Sequence, residues 1–312
     1  MQTYINTANQ NPLQDAQLIK QSISKPKNFN QLIDIVSHRS NAQRQNIVQA
    51  YYNHYNVSIF DDLKSELSGH FKEAVIALFY TPVDYDCYQL YKAMKGLGTN
   101  EDTLIEIIAT RSNNSINAIK ARYPQMYGKE LVSVVQSDTS GFFRQILMEL
   151  LRAERPNNPN PDQKQCEDCA KMLYDAESLK KEALQSTYIL MFTQKSREEF
   201  ALISKIYYQW YSKTFFDAIE SNFSGDVRKV LKAITYALLS PSEYFAYRIN
   251  KAIKGFGTND TILIRVLVSR DEIDINRIKR YYKQLYKKEL YEAVSEDVSG
   301  DYKNLLLALI GK

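Results

Sequence analysis

Arg111-Ser112-Asn113-Asn114-Ser115-Ile116, continued through Tyr127 and Val135 to Asp138-Thr139-Ser140-Gly141, is a pattern that the chain carries four times. Measured from its opening basic residue, at Arg39, Arg111, Lys195 and Arg270, a tyrosine stands 16 positions on (Tyr55, Tyr127, Tyr211, Tyr286). An aliphatic residue stands at 24 (Leu63, Val135, Ile219, Val294) and a glycine at 30 (Gly69, Gly141, Gly225, Gly300). Such registration defines four homologous units of roughly 70 residues each.

Within a unit the pattern is helical. Leu104, Ile107 and Ile108, then Ile116 and Ile119, recur at three and four, and no run alternates with period two. Ser40, Ser112, Ser196 and Asp271 follow the anchors as N-caps. Ser40 with Gln43 and Ser196 with Glu199 complete capping boxes. Each glycine at position 30 marks a later break before another apolar helix, such as 304–310. The expectation is about five short helices per unit and an all-α fold.

The anchors are spaced 72, 84 and 75 residues apart, so extra length falls between the second and third units. There the run Arg155-Pro156-Asn157-Asn158-Pro159-Asn160-Pro161 cannot continue a helix. The expected layout is a short N-terminal tail at 1–12, repeat one at 13–82, repeat two at 83–154 and a linker at 155–164. Repeat three follows at 165–240 and repeat four at 241–312. The linker is expected to divide two halves of two repeats each.

Composition narrows the function classes. The chain has 312 residues, 44% of them apolar, enough for a large core. Its net charge of +4 suits anionic surfaces but is far from a nucleic-acid-binding signature. Cys87, Cys166 and Cys169 form no disulfide framework, which fits a reduced cytoplasmic setting. The first residues contain no basic-then-apolar run, and nothing approaches 18 consecutive apolar residues, so any membrane contact is expected to be peripheral. His38, His54 and His70 all fall in repeat one, with no nucleophile or paired acid at a suggestive spacing, and no enzyme is expected.

Two units carry one loop in duplicate: Met94-Lys95-Gly96-Leu97-Gly98-Thr99 and Ile253-Lys254-Gly255-Phe256-Gly257-Thr258. Asp138 follows Gly96 by 42 positions, and Asp297 follows Gly255 by the same 42. A helix-to-helix turn with two glycines can aim several carbonyls at one point, and a distant carboxylate supplies charge. That combination suits calcium. No Gly-Lys-Ser/Thr follows, no strand precedes, and no Asp-x-Asp-x-Asp-Gly run exists, which excludes a P-loop, a Rossmann loop and an EF-hand. Thr99 is placed to cap the following helix, with Asp102 at the capping-box position.

The remaining units act as an internal control. Ser24 and Pro26 replace the glycines in repeat one, and Lys180 and Glu182 replace them in repeat three. The acid position is Glu66 in repeat one and Asn222 in repeat three. These units are built without the loop, so the fold does not require it. With one carboxylate per ion, affinity is expected to be weak, and open coordination positions suit an external oxygen such as a lipid phosphate. Leu97 and Phe256 at the loop tips could enter the headgroup region, and Lys95 and Lys254 beside them suit anionic lipid.

Taken together, Lys95-Gly-Leu-Gly-Thr99, Lys254-Gly-Phe-Gly-Thr258, Asp138-Thr-Ser-Gly141, Asp297-Val-Ser-Gly300 and the four-unit layout resemble the annexin family over essentially the whole chain. The stretches Ser40–Gln45 and Asp61–Glu66 resemble it too. The resemblance implies a curved all-helical disc whose calcium sites lie on one face and bind phosphatidylserine-type membranes reversibly. By motif, the carbonyls of Met94, Gly96 and Gly98 with Asp138 would form one site. Ile253, Gly255, Gly257 and Asp297 would form the other. A secondary site beside each loop would use Thr99 with Glu101, and Thr258 with Asp260. A charged central channel is also implied, with Asp86, Glu106, Arg111 and Arg265 as counterparts and Gln89 where a glutamate is common. A buried ion-pair network accounts for these residues better than ion conduction does.

The function expected is calcium-dependent peripheral binding to anionic phospholipid membranes, with calcium as the cofactor and room for bridging of bilayers or homo-association on them. The competing reading is a scaffold for a cytoskeletal protein with vestigial calcium dependence.

Overall fold

In the computed structural model, residues 11–96, 98–255 and 257–311 are described. Leu97 and Phe256, the expected loop tips, and residues 1–10 of the tail lie outside the described residues.

Twenty α-helices and no strand occur among the described residues, five helices to each repeat. Repeat one comprises α1 (Pro12–Ile23), α2 (Phe29–His38), α3 (Asn41–Tyr55), α4 (Ile59–Glu66) and α5 (Gly69–Phe79). Repeat two comprises α6 (Pro82–Met94), α7 (Glu101–Thr110), α8 (Asn113–Tyr127), α9 (Leu131–Asp138) and α10 (Gly141–Arg152). Repeat three has α11 (Gln163–Ala176), α12 (Lys181–Thr193), α13 (Arg197–Tyr211), α14 (Phe215–Asn222) and α15 (Gly225–Leu239). Repeat four has α16 (Pro241–Ile253), α17 (Asp260–Arg270), α18 (Ile275–Tyr286), α19 (Leu290–Asp297) and α20 (Gly300–Ile310).

The helix starts follow local chemistry. Pro12, Pro82 and Pro241 each occupy a first helical position, where the missing N–H costs nothing. Ser40 and Ser196 close the expected capping boxes, and Ser112 caps α8 through the amide of Ser115. Asp271 departs from its expected role. It continues α17 in helical conformation, and α18 starts only after Asp274, whose carboxylate accepts from Arg270 Nε at 2.7 Å. The start of α18 thus falls three residues later than the pattern placed it, with Asp274 in place of Asp271.

The ruler positions become the core. Leu63, Val135, Ile219 and Val294 are all fully buried. So is a tyrosine the ruler did not count, 12 residues after each anchor: Tyr51, Tyr123, Tyr207 and Tyr282. The tyrosines at 16 are only half-buried, and two of them stack face to face on a neighbouring ring, Tyr127 on Tyr91 and Tyr211 on Tyr174.

The chain divides into two compact units, but not at the linker. One unit is Met1–Tyr85 with Phe245–Lys312, and the other is Asp86–Tyr244. Repeat one therefore packs with repeat four, and repeat two with repeat three, rather than in the sequential halves expected. In the first unit α5 packs on α17 and α2 on α20; in the second α7 packs on α15 and α10 on α12. Apolar helix faces decide this pairing, and chain continuity does not.

The linker run is therefore internal to one unit, where Arg155 performs structural work. Its guanidinium donates to the carbonyls of Phe192 and Lys195 at 2.6 Å each, satisfying main-chain groups at and just beyond the end of α12. Burial pulls that guanidinium down to about 10. Asn113 of α8 in turn donates to the Arg155 carbonyl at 2.8 Å. Replacing Arg155 with Met leaves both acceptors dry and should cost about 2 kcal/mol of unfolding free energy, read as a lowered urea midpoint.

Candidate ion-binding loops

Each glycine loop is a six-residue connection, 95–100 between α6 and α7 and 254–259 between α16 and α17. Met94 ends its helix buried, and Ile253 ends the equivalent helix half-buried. Gly96 and Gly98 take φ of 111° and 86°, and Gly255 and Gly257 take 139° and 83°. A side chain at those angles is strained, so the loop needs glycine for its path. The stem is closed by one main-chain bond in each copy, Asn100 N–H to Ala93 O and Asn259 N–H to Ala252 O, both 2.8 Å.

The helix after the loop starts one residue later than expected. Asn100 caps α7 through the amide of Thr103 at 3.0 Å, and Asn259 caps α17 through Ile262 at 3.1 Å. Asparagine is among the strongest N-caps, so the residue type itself carried the signal. Thr99 is released from capping and donates to the carbonyl of Asp138 at 3.2 Å. Thr258 does the same to Asp297 at 3.3 Å and also bonds its Oδ2 at 2.5 Å.

These threonine bonds bring each loop to the acid 39 residues beyond it. Asp138 and Asp297 are the final residues of α9 and α19, half-buried, with a left-handed glycine (Gly141, Gly300) opening the next helix. Behind each site lies a buried tyrosine, Tyr123 or Tyr282. Burial, reinforced by nearby groups that include the Asp138 or Asp297 carboxylate, pushes each phenol up to about 12.

The donor set is therefore all oxygen: exposed glycine-loop main chain, one carboxylate and a hydroxyl. Among the described residues no group of three or more His, Cys, Asp or Glu clusters as a metal site. An ion here would depend on carbonyls, as a hard cation such as calcium does. The loop residues fit calcium on that chemistry.

Other candidate residues fall in different surroundings. Lys95 and Lys254 are exposed, and the Lys95 ammonium lies 5.4 Å from the centre of the Tyr91 ring. Glu101 and Asp260 open α7 and α17 beside Thr99 and Thr258, but Asp260 already faces His70 Nε2 at 3.2 Å. Asp86 and Arg111 form a bidentate pair at 2.7 and 2.8 Å within one unit. Burial opposes the arginine's charge, yet Asp86, with Glu106, holds it above its ordinary value. Glu106, Gln89 and Arg265 are likewise buried, Arg265 in the other unit.

Repeats one and three connect the corresponding helices differently. Their connections hold five residues (24–28) and four (177–180), and α12 begins earlier along the ruler than α7 does. No helix among the described residues is long and apolar enough to cross a membrane.

Four units of five helices each, two of them with a glycine loop tied to a returning acid, define an all-α repeat protein. The annexin family model matches residues 14–78, 85–150 and 244–309, which fall in repeats one, two and four. The chain is 38% identical over 300 residues to annexin A7 of Xenopus laevis, covering 96% of this chain and 59% of that protein. It is 35% identical to annexin A7 of Homo sapiens, covering 98% and 63%. The chain thus spans about three fifths of the length of these relatives. Among solved structures it is similar to annexin A8 (TM-score 0.95, 35% identity, 99% and 98% covered) and to a calcium-bound annexin (Sm)1 (TM-score 0.86, 32% identity, 97% and 90% covered). The chain belongs to the annexin family.

Two outcomes follow from the loop geometry. Asn100→Ala and Asn259→Ala should each lose about 1 kcal/mol of stability in chemical denaturation, whereas Thr99→Val should leave the α7 cap intact. Because folding raises the Tyr123 and Tyr282 phenols, their contribution is complete below the unfolded value of about 10 and is lost as pH rises through about 12. Absorbance titration of the phenolates should show these two ionising with alkaline unfolding, and Tyr123→Phe should reduce the loss over that window.

Proposed function

We propose that this chain attaches to anionic phospholipid membranes when calcium binds the loops of repeats two and four. Annexins are calcium-dependent phospholipid-binding proteins, and this chain belongs to that family. The observation that carries the assignment to particular loops is the threonine tether, present at Thr99–Asp138 and again at Thr258–Asp297. Where the glycines persist, a threonine hydroxyl spans 39 residues to the acid and holds it beside the glycine turn.

Bound there, calcium would supply a charge centre with coordination positions open to a phosphate oxygen. The carbonyls of Met94, Gly96 and Gly98 with Asp138 would hold one ion. Those of Ile253, Gly255 and Gly257 with Asp297 would hold the other. With a single carboxylate each, the affinity for calcium alone is weak and rises when lipid supplies the missing oxygens. Ion and lipid binding are then linked, each strengthening the other by the same factor. Exposed Lys95 and Lys254 add attraction to an anionic leaflet of about 1 kcal/mol each at low salt.

Calorimetric titration of calcium in the presence of phosphatidylserine vesicles should count two ions per chain. Co-sedimentation should require calcium and be reversed by chelator. Asp138→Asn should leave one ion and shift half-maximal pelleting to higher calcium. Asp138→Asn with Asp297→Asn should abolish calcium-dependent pelleting, and pelleting that survives in the double variant would refute the assignment.

A further inference from the structure

Repeat one lacks the glycine loop but keeps its frame. Asn28 N–H donates to Ser22 O at 2.8 Å, as Asn100 and Asn259 close their own stems, and Asn28 caps α2 through Gln31. Glu66 ends α4 as Asp138 ends α9 and Asp297 ends α19. Between loop and acid sits a side chain. Lys27 Nζ donates to the Glu66 carbonyl at 2.6 Å and lies 3.0 Å from its Oε2.

The carbonyl is the one that Thr99 and Thr258 hold in the other repeats, and Lys27 stands at their register; the carboxylate oxygen beside it, at a helix C-terminus, is the donor that an ion would take there. We propose that the Lys27 ammonium is the resident cation of repeat one, filling from within the chain the position that an ion takes in repeats two and four. This rests on the proposed reading of those two loops. Repeat three offers an independent parallel. Its Glu177, in the connection that replaces the loop, is held by Lys213 Nζ at 2.5 Å and by the Tyr207 hydroxyl. Both repeats without a glycine loop thus carry a tethered ammonium on an acid at that end, by different residues.

The pair is partly exposed, with Lys27 at 30% and Glu66 at 42%. An exposed ion pair adds little to global stability. Its effect is local: it keeps the 24–28 connection closed against Glu66 whether or not calcium is present. Repeat one is then a fixed support, while the other loops close on demand.

Amide hydrogen exchange on the full chain tests this at three equivalent probes, Asn28, Asn100 and Asn259. In the unmodified protein, calcium should slow Asn100 and Asn259 and leave Asn28 unchanged. In Lys27→Gln, Asn28 should exchange about fivefold faster in chelator, and millimolar calcium should slow it again. Lys27→Arg should keep the original rate. An unaltered Asn28 rate in Lys27→Gln overturns the proposal, as does acceleration that no calcium concentration reverses. If Asn100 and Asn259 ignore calcium in the unmodified chain, the reading of repeats two and four fails instead, and the Lys27→Gln comparison in chelator still reports on repeat one.

Discussion

In repeats one, three and four a buried phenol at one equivalent position bonds through its hydroxyl, and the partner it meets fixes the charge around it. Tyr51, Tyr207 and Tyr282 occupy equivalent buried positions, and leaving such an oxygen dry would cost a few kcal/mol, of order 1–3 in proteins. Tyr51 donates to Asp62 and Tyr207 to Glu177, whereas Tyr282 donates to the neutral amide of Asn250. Where the partner is a carboxylate, a second charge is needed beside it, and a lysine supplies it: Lys20 at Asp62 and Lys213 at Glu177. Burial works against the charge on Asp62, yet hydrogen bonds from Lys20 and Tyr51 hold its carboxyl below the ordinary range. Where the partner is neutral, as in repeat four, Asp297 acts on the phenol from nearby, and that acid accepts from a threonine hydroxyl.

The repeats therefore divide by how they balance charge at one end. Two do so with lysines fixed in the sequence, and two keep an acid tied to a glycine turn. Each compact unit contains one of each kind, since repeat one packs with four and repeat two with three. A fold assembled from near-copies can in this way retain its core in every unit and vary only the helix connections. Those connections tolerate change because they lie at the surface, outside the apolar contacts that set stability.

Much of this was legible in residue types alone. The four units, their helices and the capping serines follow from spacing, because a helix must bury one stripe and pair its end groups. That each glycine loop meets its acid was legible through duplication: one common distance, occurring twice, marks elements that come together, and the structure joins them through Thr99 to Asp138 and Thr258 to Asp297. Asn100 and Asn259 were equally readable as caps, but Thr99 and Thr258 competed for that role one position earlier. Only the placement of the threonine hydroxyl on the acid's carbonyl decides between them.

What the sequence determined by itself is the all-α repeat and the identity of the glycine-bearing units, since both are local in spacing and depend on backbone freedom. What tertiary structure decided is which repeats pack together and which charge faces which acid. The linker suggested sequential halves, yet apolar faces join α5 to α17 and α7 to α15 across long stretches of chain. Lys27 and Glu66 stand 39 residues apart, as Thr99–Asp138 and Thr258–Asp297 do, but the spacing does not say that an ammonium reaches both the carbonyl and the carboxylate. Their meeting depends on how the helices fold back on one another, and burial and charge neutralisation, which act through space, choose that arrangement.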